Sequence, residues 1–242
     1  MIAIILAAGM ATRLRPLTND RPKCLLQVGS RCLLQRIVDG IKSAGLTEVV
    51  VVTGYRSEMI RDFINEHCPE LTVHFIHNAD YQTTNNIYSL WLTREYIEGQ
   101  DAILMDSDIL MDPLLLQRMM EQPVSSLALN RHELGEEEIK VVVDEQMNIV
   151  ELNKTCDPKT AIGESVGVEL MLKPYTTALF PELEKMMNVE HLENVFYERA
   201  FERLIPQGQT FKVVDTTDLF SIELDTVEDF QNAQRLIPKS LY

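Results

Sequence analysis

Six consecutive apolar residues, Ile2 to Ala7, run directly into the small-residue loop that begins Ala8-Gly9. A strand that is apolar on both faces must be covered on both faces, which is the situation of a parallel sheet sandwiched between helices. Similar runs recur from Val49 to Val52, just ahead of Gly54, and within DAILMDSD at 101–108, with TVHFIH at 72–77 as a further strand. Between them, Leu33, Leu34, Ile37, Val38 and Ile41 fall at helical spacing over 33–44, and a second helix over 57–68 is closed by Pro69. Residues 86–96 read as a third helix. Strands alternating with helices predict a Rossmann-like, doubly wound, mostly parallel α/β/α sheet with right-handed crossovers.

The second half changes character. Residues 124–172 contain four short strand-like runs (SSLALN, IKVVVDE, NIVELN, SVGVELM) separated by polar turns, which predict an antiparallel segment. Helices return at 176–187 and 193–204, followed by FKVVD, SIELDT and a last helix over 227–236. No repeat interrupts the pattern. The expectation is one domain over 1–242, with 124–172 forming a small antiparallel lid on the substrate side.

Charge narrows the class of partner. The chain has 242 residues and a net charge of −15, yet residues 1–36 carry Arg13, Arg15, Arg21, Lys23, Arg31 and Arg36 against Asp20 alone. That stretch is therefore +5 and the remainder −20, a local basic patch on an acidic body. Such a distribution excludes nucleic acid and anionic membrane surfaces and favours a small anion. No apolar run approaches the roughly 18 residues that span a bilayer. The four cysteines (Cys24, Cys32, Cys68, Cys156) form no CxxC pair and read as reduced thiols of a cytoplasmic protein. An acidic surface is compatible with a homodimer.

Residues 6–28, LAAGMATRLRPLTNDRPKCLLQV, are the most informative. A strand ending in small residues exposes backbone N–H groups at the carboxyl edge of the sheet, where open α/β folds bind ligands, and a nearby Arg completes an anion nest. The Walker A spacing is absent. The segment closely resembles the signature G-x-G-x-R-L-x-P-L-T-x-x-x-P-K-x-L of sugar-1-phosphate nucleotidyltransferases and their phosphocholine-type cytidylyltransferase relatives. Gly9, Thr12, Arg13, Leu14, Pro16, Leu17, Thr18, Pro22, Lys23 and Leu25 match, and Ala11 replaces the second glycine, a substitution that suits a negative φ.

The resemblance implies that Leu6, Ala7, Ala8, Gly9, Met10, Ala11, Thr12 and Arg13 hold a nucleotide, with Arg13 and Lys23 as the catalytic cations. Asp106 and Asp108 alternate around Ser107 at the expected end of the fourth strand, where carboxylates can hold Mg²⁺. By the family match Asp108 is the principal metal ligand, Asp225 in SIELDT is the second, and Asp106 contacts the nucleotide or supports the site. NNIYSL at 85–90 resembles the phosphocholine and aminoalkylphosphonate branch. Asn85 and Asn86 offer a pyrimidine both donors and acceptors, or Asn85 simply caps a helix.

For an acceptor, IVELNKT resembles the family segment in which a lysine touches its phosphate, which implies Lys154, with Lys140 a weaker candidate and Glu169 facing the same ligand. In ENVFYERAFERL, helical spacing aligns Glu193, Tyr197 and Ala200, so Tyr197 with its acidic neighbours can receive a cationic amine, or the helix packs Phe196 and Phe201 into the core. The implied reaction is CTP-dependent transfer to phosphocholine, phosphoethanolamine or 2-aminoethylphosphonate, with Mg²⁺ as cofactor. A sugar- or polyol-1-phosphate acceptor and a non-catalytic nucleotide-binding regulator are the alternatives.

Overall fold

A computed structural model describes residues 1–241. Its sheet is centred on β1 (Ile2–Ala7), and the alternation of that strand explains the layers: Ile2, Ile4 and Leu6 enter one core while Ala3, Ile5 and Ala7 enter the other. After the hairpin of β2 (Gln27–Val28) and β3 (Arg31–Cys32), the helix α1 (Leu33–Ser43) leads to β4 (Glu48–Thr53), and α2 (Ser57–His67) leads to β5 (Thr72–His77). Strand β4 lies parallel to β1, pairing Ile4 with Val50, and β5 lies parallel to β4. Helices α1 and α2 cover the second core through Leu34, Ile37, Ile60 and Ile64.

The chain then crosses through α3 (Asn86–Leu92) and α4 (Arg94–Ile97) to β6 (Ala102–Asp106), which pairs with the opposite edge of β1, Leu6 against Asp106. Successive strands thus depart from β1 in opposite directions, and the crevice between β1 and β6 is the switch point where such sheets bind ligands. The strand stops at Asp106, shorter than the sequence implied. Ser107 and Asp108 turn into β7 (Ile109–Met111), so the two aspartates do not alternate along one strand.

Beyond α5 (Leu114–Met120), residues 124–172 supply β8 (Ser126–Asn130), β9 (Lys140–Val143), β10 (Ile149–Asn153) and β11 (Gly163–Met171). These strands continue the main sheet. Strand β11 pairs antiparallel with β6, β8 and β9, and β10 closes the edge against β9. Helices α6 (Lys173–Asn188) and α7 (Glu198–Leu204) cover the first core with Leu179, Phe180, Ala200 and Phe201, before β12 (Lys212–Asp215) pairs parallel with β8. The α/β expectation and its mostly parallel centre hold, with the antiparallel strands added at one side.

A two-stranded sheet of β13 (Ser221–Glu223) and β7 has the closest bearing on the site. Its register sets Glu223 opposite Ile109, and the Leu224 N–H donates to the Asp108 carbonyl at 3.1 Å, which brings the end of the chain to the end of β6. The last helix, α8 (Val227–Leu236), is fixed there by a capping box between Thr226 and Asp229 and by a small core of Val28, Leu110, Leu224 and Ala233.

Candidate active site

A cavity of about 660 Å³ opens at the carboxyl ends of β1 and β6. Leu6, Ala7, Ala8, Gly9, Ala11 and Arg13 line it, whereas Met10 and Thr12, expected as nucleotide contacts, do not. Ala11 has φ 46° and ψ 54°, in the left-handed region, so the negative φ that suited an alanine is not what the loop adopts. An L-residue there costs about 1 kcal/mol relative to glycine. Its carbonyl offsets some of that strain by accepting the Leu14 N–H at 3.1 Å and the Thr18 hydroxyl at 2.9 Å.

Lys23 occupies the floor. Its Nζ donates to Asp108 Oδ2 at 2.9 Å and to Asp225 Oδ1 at 2.7 Å, and Arg13 donates to the other oxygen of Asp225 at 2.7 Å. Burial pulls the Lys23 pKa down, but the two carboxylates more than reverse it and hold the ammonium charged. The β7–β13 register adds Glu223, which sequence reasoning missed although it stands two residues before Asp225 on an extended segment. Oxygens of Asp108, Glu223 and Asp225 lie within 4.8 Å of one another. Glu223 opens onto the cavity yet is hemmed in by protein, and that enclosure, with the charges of Asp108 and Asp225, raises its carboxyl above the ordinary range. Asp108 Oδ1 is buried without a hydrogen-bond partner. Three hard oxygen donors converging in this way, one of them orphaned, fit Mg²⁺.

Asp106 lines the same cavity. Enclosure raises its carboxyl, with repulsion from Asp108, Glu169 and Glu198 adding to it, while a 2.9 Å hydrogen bond from the Tyr197 hydroxyl opposes the shift. Tyr197 and Glu169 are each 0% exposed and do not line the cavity, which corrects their reading as acceptor contacts. The Tyr197 oxygen lies 3.5 Å from Glu169 Oε2, and Ser165 donates to Glu169 Oε1 at 3.3 Å, so these groups support Asp106 from behind. Gly167, at φ +74°, approaches so closely that a Cβ would stand 3.0 Å from Asp106 Oδ2.

Glu137 Oε2 lies 3.7 Å from Arg13 and 3.3 Å from Lys154, and around it the structure redistributes the remaining expectations. Lys154 lines the cavity, with its Nζ 3.3 Å from Glu137 Oε2 and 5.0 Å from the Phe196 ring. Lys140 is buried and donates to the Lys154 carbonyl at 2.7 Å, a structural role that removes it as a ligand for the acceptor. Glu193 lies outside the cavity lining; its carbonyl accepts the Asn85 N–H at 2.8 Å. The face predicted over 193–204 fails because residues 193–197 form turns and helix α7 begins only at Glu198. Phe196 and Glu198, on either side of Tyr197, are the residues that line the cavity. Asn85 and Asn86 line it too. Asn85 caps α3 by accepting the Asn86 N–H, and Asn86 Oδ1 accepts the Tyr197 N–H at 2.9 Å, so the carboxamide NH₂ groups are what the pair presents to a ligand.

Among the described residues no helix is long and apolar enough to cross a membrane, and the four cysteines are free and buried. Over 98% of this chain and 99% of the other, the fold superposes on the CTP:phosphocholine cytidylyltransferase of Streptococcus pneumoniae with a TM-score of 0.83 at 21% identity. In sequence, the CMP-5'-(3-aminopropyl)phosphonate synthase of Streptomyces rubellomurinus is 26% identical over 240 residues, 96% of this chain and 38% of that protein. The choline-phosphate cytidylyltransferase of Streptococcus pneumoniae is 37% identical over 108 residues, 45% of this chain and 44% of that protein. These sequence matches thus span less than half the length of either of these two relatives. Residues 3–197 match the MobA-like NTP transferase domain, and the protein belongs to that nucleotidyltransferase family.

Proposed function

We propose that the chain transfers a cytidylyl group from CTP to a small phosphate or phosphonate of the amino-alcohol class, releasing pyrophosphate. The observation that carries this reading is the Lys23 ammonium held between Asp108 and Asp225 beneath the loop of residues 9–13. An oxygen of the acceptor attacks the α-phosphorus in line, and the bond to the pyrophosphate oxygen breaks. The attacking phosphate is already ionised at neutral pH, so the reaction asks for alignment and charge compensation rather than a general base. Arg13 and the loop amides bind the β- and γ-phosphates. Lys23 exchanges its carboxylate partners for the acceptor oxygen and the α-phosphate, countering the charge that develops on the equatorial oxygens. Asp108, Glu223 and Asp225 would hold Mg²⁺, which would supply charge neutralisation at the α-phosphate and the leaving group. Asn85 and Asn86 supply donors to the base or ribose.

A panel of nucleoside triphosphates and acceptors with Mg²⁺, read by pyrophosphate release, tests the reading. Turnover is expected with CTP and aminoalkyl phosphates or phosphonates. Preference for glucose 1-phosphate or an inositol phosphate transfers the assignment to the sugar and polyol branch, and CTP binding without turnover on any acceptor defeats the enzymatic reading.

A further inference from the structure

The loop between β8 and β9 is pinned where it begins and reaches the cavity where it ends. Arg131 donates to Asp215 Oδ2 at 2.6 Å, its backbone N–H donates to the Thr217 hydroxyl at 2.9 Å, and His132 Nε2 lies 2.6 Å from Glu164 Oε2. From there to Lys140, where β9 starts, residues 133–139 form neither helix nor strand, and Glu137, Glu138 and Ile139 line the cavity. Glu138 is tied back into its own loop, accepting the Gly135 N–H at 2.9 Å. Glu137 reaches outward instead. Its Oε2 lies 3.7 Å from Arg13 Nη1 and 3.3 Å from Lys154 Nζ, so one carboxylate oxygen joins a cation of the nucleotide loop to the lysine that follows β10. The Glu137 side chain is 78% exposed, and ion pairs so open to water are weak.

We propose that Glu137 is a displaceable internal anion, holding the place between Arg13 and Lys154 that substrate phosphate oxygens take and thereby opposing their entry. This rests on the reading above, in which Arg13 binds the β- and γ-phosphates, and adds to it a group that competes for the same cations. A phosphate arriving at Arg13 brings like charge against Glu137, and the two cannot share the gap. The carboxylate then turns out to water at little cost, because the pairs it leaves are exposed and screened. Arg131 and His132 anchor the start of the loop to Asp215 and Glu164, so the displacement is carried by residues 133–138 and leaves the sheet in place.

Inorganic pyrophosphate, titrated calorimetrically in the presence of Mg²⁺, probes this opposition without turnover. Glu137→Gln keeps the shape and removes the charge, and is expected to bind pyrophosphate about two- to fivefold more tightly than wild type, the range of an exposed ion pair. Glu136→Gln removes the same charge from an exposed position of the same loop outside the cavity lining, and is expected to change the affinity less than about 1.5-fold. In a Lys154→Met background, where Glu137 has lost its nearer partner, the gain from Glu137→Gln is expected to fall below about 1.5-fold, since groups in contact do not act additively. Unchanged or weaker pyrophosphate binding by Glu137→Gln overturns the proposal. So does an equal gain from Glu136→Gln, or a gain that Lys154→Met leaves intact. The turnover panel keeps the two readings apart. A gain in pyrophosphate affinity from Glu137→Gln in a protein that transfers no cytidylyl group leaves the displaceable carboxylate standing and removes the transfer reading; turnover with CTP in a protein indifferent to Glu137→Gln does the reverse.

Discussion

The two ends of the cavity are built in opposite ways. At the floor, Lys23, Arg13, Asp108 and Asp225 compensate one another at 2.7–2.9 Å, and the pairing of β7 with β13 fixes the carboxylates. On the other side, Phe196 comes from the irregular approach to α7 and Glu198 from its first turn, and Glu198 Oε2 has no hydrogen-bonding partner. The charged groups of the floor sit on short turns beside strands whose register is fixed, while the other group sits where the backbone can change without disturbing the sheet.

Substitutions at the floor give the largest expected effect. Lys23→Ala and Asp108→Ala should each lower pyrophosphate release at least a hundredfold with every acceptor while far-UV circular dichroism stays native, because each removes charge compensation at the reacting phosphate. A loss confined to one acceptor class would erase the distinction between the two ends.

At the other end the same carboxyl should be read in stability. Glu198 titrates near 4.5 when unfolded and near 7 when folded. Below about pH 4.5 it is protonated in both states and above about 7 ionised in both, so folding takes up a proton between these limits and stability falls as pH rises through them. Relative to wild type, Glu198→Gln should therefore gain on the order of 3 kcal/mol in chemical denaturation between pH 4.5 and 8. A difference that does not vary with pH would contradict a charge held at a cost to stability.

Behind the floor, Tyr197→Phe removes the hydroxyl that serves Asp106 and should cost about 1–3 kcal/mol of stability. The smallest effect is expected in the nucleotide loop. Ala11→Gly should relieve about 1 kcal/mol of left-handed strain and raise Tm by about 2–4 °C, and a lowered Tm would contradict the assigned φ.

The same contrast governs what the sequence made legible. The double-sided apolar runs of β1, β4 and β6 could only be buried strands, and the ten-residue helix α8 begins at the expected Val227 because Thr226 and Asp229 cap it. The floor followed from the motif around Lys23 together with Asp108 and Asp225. Glu223 escaped notice because its neighbour across the sheet, the three-residue strand β7, is too short to leave a periodic signal. Before α7, the helical periodicity of the sequence extends through 193–197, where the chain forms turns instead of a helix. That error selected Tyr197 and Glu193 in place of Phe196 and Glu198. Likewise β11, expected within the antiparallel segment, pairs with β6 of the main sheet, a long-range pairing that no local pattern encodes.

The central claim is attack on the α-phosphorus of CTP under the control of Lys23. It is tested most directly by the ³¹P spectrum of a reaction containing CTP, Mg²⁺ and phosphoethanolamine, run with wild type and with Lys23→Ala. Equal amounts of pyrophosphate and a diphosphate-bridged cytidylyl conjugate from wild type, and neither from the variant, are the predicted result. Inorganic phosphate with CDP, or the same products from both proteins, would contradict it.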